Sequence, residues 1–205
     1  MNSEYIIDIS KLKISNDTDQ IMIVIPEKYT SSKAIFFYYI KEGEEWKEFL
    51  KTEAYIGRDG LGLQSEDDVK SPIGLFNFTK FFGIADNPGT KVPYIKLNHS
   101  LYWVSDPKSS KYNQMVNIET FTDFDTRLSE HLIDETEAYK YAMNINYNAT
   151  GIPGIGSAIF LHYSTEYSYT LGCVSIPEKD MLKVIKTANE KAVIIIDEYK
   201  NIYNY

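Results

Sequence analysis

The chain has 205 residues, 43% of them apolar, and a formal net charge of −8 at pH 7. This length suits one domain, which buries enough surface to fold without disulfides. The acidic balance argues against nucleic acid as a partner, because such binding depends on Lys and Arg side chains that displace the counterions of phosphates. No apolar run approaches the roughly 20 residues that span a membrane, and the first residues lack a signal peptide.

The first half of the chain consists of short apolar runs separated by turn residues. The runs are rich in β-branched and aromatic residues and too short for helices, which is typical of strands. We predict strands over residues 21–25, 34–40, 46–56 and 75–82, and a hairpin formed by 93–97 and 101–104. Glycines and prolines between the third and fourth strands mark turns.

A helix is predicted over residues 122–132, where apolar residues recur at helical spacing. The pattern is formed by Phe124, Leu128 and Leu132. Glu130 and His131 then fall on the solvated face of this helix, which is the usual place for a charged pair.

The remainder of the chain returns to strands and one further helix. Apolar residues on alternate positions predict a half-buried strand over 139–147, and apolar runs predict strands over 157–163 and 192–196. Ser175 is placed to cap a helix that has Pro177 near its first position.

Strands outnumber helices in this pattern, without the alternation typical of parallel α/β folds. The sequence therefore predicts a mainly β fold, a β-sandwich or partly closed barrel with one or two short helices. We divide the chain into an N-terminal extension or edge segment over 1–19 and one domain over 20–205.

Cys173 is the single cysteine of the chain, so no internal disulfide can form. Gly172 leaves the backbone bare beside the thiol, and the amides of Gly172 and Cys173 are candidates to face a developing oxyanion. His162 ends a predicted strand, with 10 residues between it and Cys173, and lies within hydrogen-bond reach of the thiol if the intervening loop returns. An imidazole there would lower the pKa of the thiol and supply a thiolate.

A metal site is not expected from this sequence. A soft metal needs three or four ligands, whereas His99 and His131 lie in segments separate from the single cysteine. The run from Gly154 to Ser157 is interpreted as a turn, because no Lys follows it as in a phosphate-binding loop.

Several motifs together resemble the L,D-transpeptidase catalytic domain, the YkuD family of peptidoglycan cross-linking enzymes. The family pattern is a His on a strand, a loop, then Ser/Thr-His-Gly-Cys and an apolar residue. Here it reads His162, a loop over 163–169, then Thr-Leu-Gly-Cys-Val over 170–174. The lead-in Gly-Ser-Ala-Ile-Phe-Leu-His, the segment 68–76 and shorter matches at 57–60, 103–106 and 112–113 occur in family order. The resemblance spans about residues 20–196.

Two side chains depart from the family pattern. Leu171 stands where the family has a His two residues before the Cys, and Ser175 stands where an Arg or Asn is common. The loop between His162 and Cys173 is also shorter than in the best-known members. These departures affect contacts with substrate, whereas the thiol, the imidazole and the Gly-Cys backbone are retained.

The resemblance implies a mechanism without a cofactor. Cys173 is the nucleophile and His162 its general base, oriented by the backbone carbonyl of Tyr163. The amides of Gly172 and Cys173, with that of Leu171, hold the oxyanion. The candidate substrate-binding residues are Thr170, Ser175 and Arg58.

The implied partners are peptidoglycan stem peptides, and the implied location is the extracytoplasmic cell envelope of a bacterium. The reaction is transfer of a stem peptide from its terminal D-Ala to an amine of a second stem. The same residues are compatible with two alternatives: an L,D-carboxypeptidase that uses water as acceptor, and a non-catalytic wall-binding domain.

Overall fold

The computed structural model describes residues 5–205. Its strands are β1 (Gln20–Pro26), β2 (Lys33–Glu42), β3 (Glu45–Tyr55), β4 (Gly74–Gly83), β5 (Tyr94–Lys96), β6 (Leu101–Trp103), β7 (Met115–Asn117), β8 (Glu130–His131), β9 (Ala142–Ile145), β10 (Phe160–Tyr163), β11 (Val174–Ile176) and β12 (Val193–Ile196). The α-helix α1 covers Glu178–Thr187, and 3-10 helices cover Ile9–Lys11, Lys13–Asn16, Thr126–Leu128, Ala138–Lys140 and Tyr199–Asn204.

Eight strands form a closed barrel in the order β12-β1-β2-β3-β11-β10-β9-β4. The barrel closes because β4 pairs antiparallel with β12, which places Val193 opposite Asn77. Strand β5 extends this sheet from β4, and β6, β7 and β8 form a separate three-stranded sheet. The predicted mainly β fold is confirmed, and the barrel is closed rather than partly open.

Strand β1 is buried on both of its faces. Met22 and Val24 face the main core, which also contains the buried side of α1. Ile21 and Ile23 face a second cluster, formed with the 3-10 helices near the two ends of the chain. A strand covered on both faces is apolar throughout, which explains why its sequence does not alternate.

The predicted N-terminal segment over 1–19 lies partly outside the described residues. Within its described part, Ile9 and Leu12 are buried in the second cluster against β1 and β2. This segment therefore covers the outer face of the barrel wall. Its separation from the domain stays a prediction.

The predicted hairpin over 93–104 is wrong, although both of its strands exist. Strand β5 pairs with β4, whereas β6 pairs with β7 and β8 in the other sheet. Leu97 is buried between them in a cluster that joins the barrel to the small sheet. Two apolar runs around a short turn need not pair with each other when each has a better partner elsewhere.

The predicted helix over 122–132 is also wrong. The segment forms one 3-10 turn at Thr126–Leu128, capped by Asp125, and then strand β8. Leu128 is 54% exposed, whereas Leu132 is fully buried. The apolar spacing was coincidental, because the residues that form it do not share one buried face.

The predicted strands over 139–147 and 157–163 are shorter in the structure. A 3-10 turn occupies Ala138–Lys140, and β9 follows at Ala142–Ile145 with all four residues buried. Asn144, expected on a wetter face, is 4% exposed and donates hydrogen bonds to backbone carbonyls. Strand β10 begins only after Ala158, whose φ of 54° is incompatible with a strand.

Helix α1 begins after Pro177, which is its N-cap residue. Ser175 does not cap the helix, because it lies within β11. Met181, Val184 and Ile185 pack into the main core. The helix that follows β11 is thus anchored in the same core as the barrel strands.

Candidate active site

The two predicted catalytic residues come from neighbouring segments of the barrel wall and line the same pocket. His162 belongs to β10, and Cys173 directly precedes β11. The strands are parallel, with Leu161 opposite Val174, so Cys173 comes beside Phe160. Both residues line one pocket of about 480 Å³.

The thiol of Cys173 is bonded to the backbone rather than to the imidazole. Its Sγ donates to the carbonyl of Ala158 and accepts the N–H of Phe160, each at 3.3 Å. Within residues 5–205, the structure shows no hydrogen bond between this thiol and His162. The expected thiol–imidazole bond is therefore not formed in this conformation, because the left-handed backbone at Ala158 turns its carbonyl toward the sulfur.

The pKa of the Cys173 thiol is raised, not lowered as the sequence suggested. Burial is the main cause, the negative charge of Glu130 adds to it, and the pKa reaches about 12. Cys173 is partly exposed as a residue, but its sulfur atom is buried and therefore desolvated. At neutral pH the resting protein holds a thiol and not a thiolate.

His162 is buried, and its tautomer follows from its partner. Nδ1 lies 2.6 Å from the carbonyl oxygen of Tyr163. Because a carbonyl only accepts, Nδ1 carries the proton and Nε2 is left as the base. Burial lowers the pKa of His162 to about 4, against the opposing effect of the Tyr163 carbonyl. The imidazole is neutral at pH 7, as a general base requires.

The loop before Cys173 is fixed by two hydroxyl groups. Thr170 Oγ1 donates to the Cys173 carbonyl at 2.7 Å, and Ser71 Oγ donates to the Gly172 carbonyl at 2.6 Å. Ser71 is fully buried and also accepts the N–H of Gly57 at 2.9 Å. Ser71 was not singled out from the sequence, since its partner lies 101 residues away.

Glycine is required at position 172. Its φ is +150°, and a Cβ there would lie 3.1 Å from both Ile159 Cδ1 and the Lys70 carbonyl oxygen. Its N–H donates to Thr170 Oγ1 at 3.1 Å. In this conformation the Gly172 amide is therefore not directed at an oxyanion, so the predicted oxyanion role requires the loop to adjust.

The predicted substrate-binding residues have different environments. Thr170 and Ser175 line the pocket, but both side chains are buried, and Ser175 Oγ accepts a 3.4 Å hydrogen bond from Ser164. Arg58 is exposed, pairs with Asp59 at 3.3 Å and lies outside the pocket lining. Leu171 is 70% exposed at the rim. The hydroxyls of Thr170 and Ser175 thus have partners within the protein, and the substrate-binding roles of Thr170, Ser175 and Arg58 stay predictions.

Carboxylates form the polar wall of the pocket. Glu66, Glu130 and Glu135 line it, whereas no Lys or Arg of the described chain does so. Burial, with a contribution from Glu135, raises the pKa of Glu130 to about 7. The residue is only partly buried as a whole, but its carboxyl accepts a hydrogen bond from the hydroxyl of Tyr139.

The sequence does not indicate Glu130 as a pocket residue, because the predicted helix places it on a solvated face. Strand β8 instead aligns Glu130 with Trp103 and turns its carboxyl toward Tyr139. Tyr139 is buried, and its ring lies edge-on to the His162 ring at 5.6 Å. No local pattern in the sequence indicates this contact.

A second group of hydrogen bonds positions Ala158. Glu66 accepts hydrogen bonds from the hydroxyls of Tyr112 and Ser157. Ser157 Oγ is also 2.6 Å from Ser105 Oγ. These bonds fix the residue before Ala158. They thereby help to position the Ala158 carbonyl, which accepts the hydrogen bond from the thiol.

Over the described chain, no group of three or more His, Cys, Asp or Glu side chains is arranged to hold a metal ion. In the same residues, no helix has the length and apolar character needed to cross a membrane.

Comparison with known families identifies one match. The family model described as "YkuD: L,D-transpeptidase catalytic domain" matches residues 19–196. This range contains the whole barrel and both pocket residues His162 and Cys173. No curated protein matches the chain.

Several solved structures are similar in fold. Bd1075 from Bdellovibrio bacteriovorus is 15% identical, with 91% of this chain and 54% of that chain covered and a TM-score of 0.46. The helical cell shape determining protein Pgp2 from Campylobacter jejuni is 15% identical, with 88% and 48% covered and a TM-score of 0.44. An L,D-transpeptidase from Mycobacterium smegmatis is 12% identical, with 88% and 59% covered and a TM-score of 0.41. The chain spans about half the length of these proteins.

Proposed function

Because the chain belongs to the YkuD family of L,D-transpeptidase catalytic domains, we propose that it is a cysteine-dependent L,D-transpeptidase of bacterial peptidoglycan. One observation carries the proposal. A thiol and a neutral imidazole with an unprotonated Nε2 line the same pocket. The imidazole belongs to β10, and the thiol directly precedes the parallel neighbour β11. A nucleophile and a base in this arrangement are the parts that acyl transfer needs.

In the first half-reaction, Cys173 Sγ attacks the carbonyl that joins the third-position diamino acid to the terminal D-Ala. The thiol gives up its hydrogen bond to the Ala158 carbonyl, and His162 Nε2 takes the thiol proton. The high pKa of the thiol and the low pKa of the imidazole disfavour a resting ion pair. Proton transfer therefore accompanies attack on the bound substrate.

Collapse of the tetrahedral intermediate breaks the bond to D-Ala. His162 returns its proton to the departing D-Ala nitrogen, and the stem peptide remains as a thioester on Cys173. The backbone amides around Gly172 stabilise the oxyanion once the loop has adjusted. The carbonyl of Tyr163 keeps the imidazole in one tautomer throughout, independently of the Tyr163 side chain.

The second half-reaction decides between two enzymes that share this thioester. An amine of a second stem gives a cross-link, whereas water gives an L,D-carboxypeptidase. Leu171 and Tyr167 line the pocket and are exposed, so they offer an apolar surface to an acceptor peptide. The alternative of a non-catalytic wall-binding domain is disfavoured by the free thiol and neutral base in one pocket.

The proposed substrate places the protein outside the cytoplasmic membrane, at the bacterial cell wall. Stem peptides of the mature wall are its proposed partners, and the chemistry described uses no cofactor.

The experiment that tests the function uses a purified disaccharide tetrapeptide. Wild-type protein should release D-Ala and form a cross-linked dimer by mass spectrometry, and Cys173→Ala should do neither. Release of D-Ala with only monomeric tripeptide would identify a carboxypeptidase. No release of D-Ala by wild-type protein would overturn both enzyme assignments.

A further inference from the structure

The carboxyl of Glu130 lies in the wall of the catalytic pocket, outside the proposed thiol–imidazole pair. It accepts a hydrogen bond from the hydroxyl of Tyr139, whose ring lies edge-on to the ring of His162. The carboxyl is also close enough to Cys173 for its charge to raise the pKa of the thiol. Glu130 is therefore connected to both proposed catalytic residues and has no assigned role.

Among residues 5–205, the groups that face the Glu130 carboxyl include no cation. They are the Tyr139 hydroxyl, the Glu135 carboxylate and the Cys173 thiol, with the neutral His162 behind Tyr139. The Glu130 carboxylate therefore gains a proton readily near neutral pH, because its pKa is raised to about 7. Such a group is suited to proton transfer.

Transfer of the stem peptide from the thioester to an amine requires that the acceptor first lose a proton, whereas transfer to water does not. The side-chain amine of a diamino acid is an ammonium ion at neutral pH, with an ordinary pKa of about 10.4. An ammonium nitrogen has no lone pair, so it must lose a proton before it attacks. His162 is needed for the proton that leaves the nitrogen during attack, and a second base is therefore required.

We propose that Glu130 is this second base, which takes a proton from the acceptor ammonium before the nitrogen attacks the thioester on Cys173. The inference rests on the proposed function and deepens it, since it assigns the acceptor as a cationic amine. The carboxylate attracts the ammonium into a pocket wall that holds no Lys or Arg among the described residues.

The protons balance through the cycle. The acceptor R–NH₃⁺ and the Glu130 carboxylate give R–NH₂ and the protonated carboxyl. The nitrogen then forms a bond to the thioester carbonyl, the carbon–sulfur bond breaks, and His162 passes the second amine proton to the departing sulfur. Glu130 releases its proton to solvent, and the thiol and the neutral imidazole are restored.

Comparison of the two half-reactions distinguishes a role of Glu130 as a base from a purely structural role. Acylation of Cys173 and hydrolysis of the thioester do not require Glu130 as a base, whereas aminolysis does. Glu130→Gln keeps the shape and still accepts the Tyr139 hydroxyl. The matched control is Glu53→Gln, which removes a carboxylate from the exposed face of β3.

The test uses the disaccharide tetrapeptide as donor and the side-chain amine of N-acetyl-lysine amide as acceptor. Aminolysis product and hydrolysed tripeptide arise from the same thioester, so their ratio does not depend on how fast Cys173 is acylated. At pH 7.5 we expect Glu130→Gln to lower this ratio roughly 100-fold relative to wild type, the lower end of general-base effects. The loss should diminish toward pH 10, where solvent deprotonates the amine. Equal aminolysis by Glu130→Gln and wild type would overturn the proposal.

A second variant keeps the proposal testable if Glu130→Gln does not fold. Tyr139→Phe removes the hydrogen bond that lowers the pKa of Glu130 while keeping the ring against His162. The midpoint of the pH–aminolysis profile should then move to higher pH, and an unchanged midpoint would contradict the role of Glu130. Failure of wild type to release D-Ala would instead refute the proposed function itself.

Discussion

The Nδ1 atom of His162 lies 2.6 Å from the carbonyl oxygen of Tyr163, the next residue of the same strand. This bond fixes the tautomer without an acidic side chain, because every residue has a backbone carbonyl. It raises the pKa of the imidazole, but the larger effect of burial lowers it to about 4. The residue is thus held neutral with Nε2 available, and two predictions depend on that state.

Neutral His162 should make stability depend on pH. The unfolded state gains a proton at this residue as pH falls below about 6.5, whereas the native state does not until about pH 4. Stability is therefore lost as pH falls between these values, by an amount that should reach about 2 to 3 kcal/mol at pH 4.5.

Urea unfolding of wild type and His162→Gln at pH 7 and pH 4.5 measures this loss. Other titrating groups, including Glu130, are common to both proteins and cancel in the difference. We expect wild type to lose more stability than the variant on acidification. An equal loss would show that the imidazole titrates normally in the folded protein.

The resting thiol should react slowly with alkylating agents. A thiol pKa of about 12 leaves little thiolate at pH 7.5, so iodoacetamide should modify native Cys173 at least 100-fold more slowly than the urea-unfolded protein. The rate should rise about tenfold per pH unit between pH 7 and 10. Glu130→Gln should react faster, because one of the causes of the raised pKa is removed. A fast rate with a plateau near pH 6 would instead indicate a preformed thiolate–imidazolium pair.

Gly172→Ala should abolish acylation and destabilise the fold. The new Cβ would meet Ile159 and the Lys70 carbonyl at 3.1 Å, in a backbone conformation that Ala rarely adopts. Gly89→Ala is the matched control, because its φ of +96° is also positive. Apart from its chain neighbours, no atom of the described residues lies within 4 Å of the added Cβ. Thermal unfolding of both variants separates the steric cost from the backbone strain that they share. Equal melting temperatures would show that the loop accommodates the methyl group.

The features that the sequence predicted are those with a local signature. Strands β1 to β4 follow from apolar runs bounded by turns, and the His162-to-Cys173 segment follows from a motif. The helix over 122–132 failed because Leu128, one of its three apolar markers, is exposed. That error concealed Glu130, which points into the pocket only because β8 pairs with β6.

Other parts of the site depend on contacts between distant segments. The Ser71 hydroxyl reaches the Gly172 carbonyl across 101 residues, and Glu66 meets Ser157 across 91. The resting hydrogen bond from the thiol to Ala158 depends on a left-handed backbone at a residue other than glycine, which composition does not indicate. These contacts join segments far apart in the sequence, so no local pattern predicts them.

The central claim is that Cys173 is an acyl-accepting nucleophile, and intact-protein mass spectrometry with a carbapenem tests it most directly. We expect wild-type protein to gain one carbapenem mass at pH 7.5, although its thiol resists iodoacetamide at the same pH. Cys173→Ala should gain none, and His162→Gln should acylate at least roughly 100-fold more slowly than wild type. An unmodified wild-type protein, or an adduct that persists in Cys173→Ala, would contradict the account.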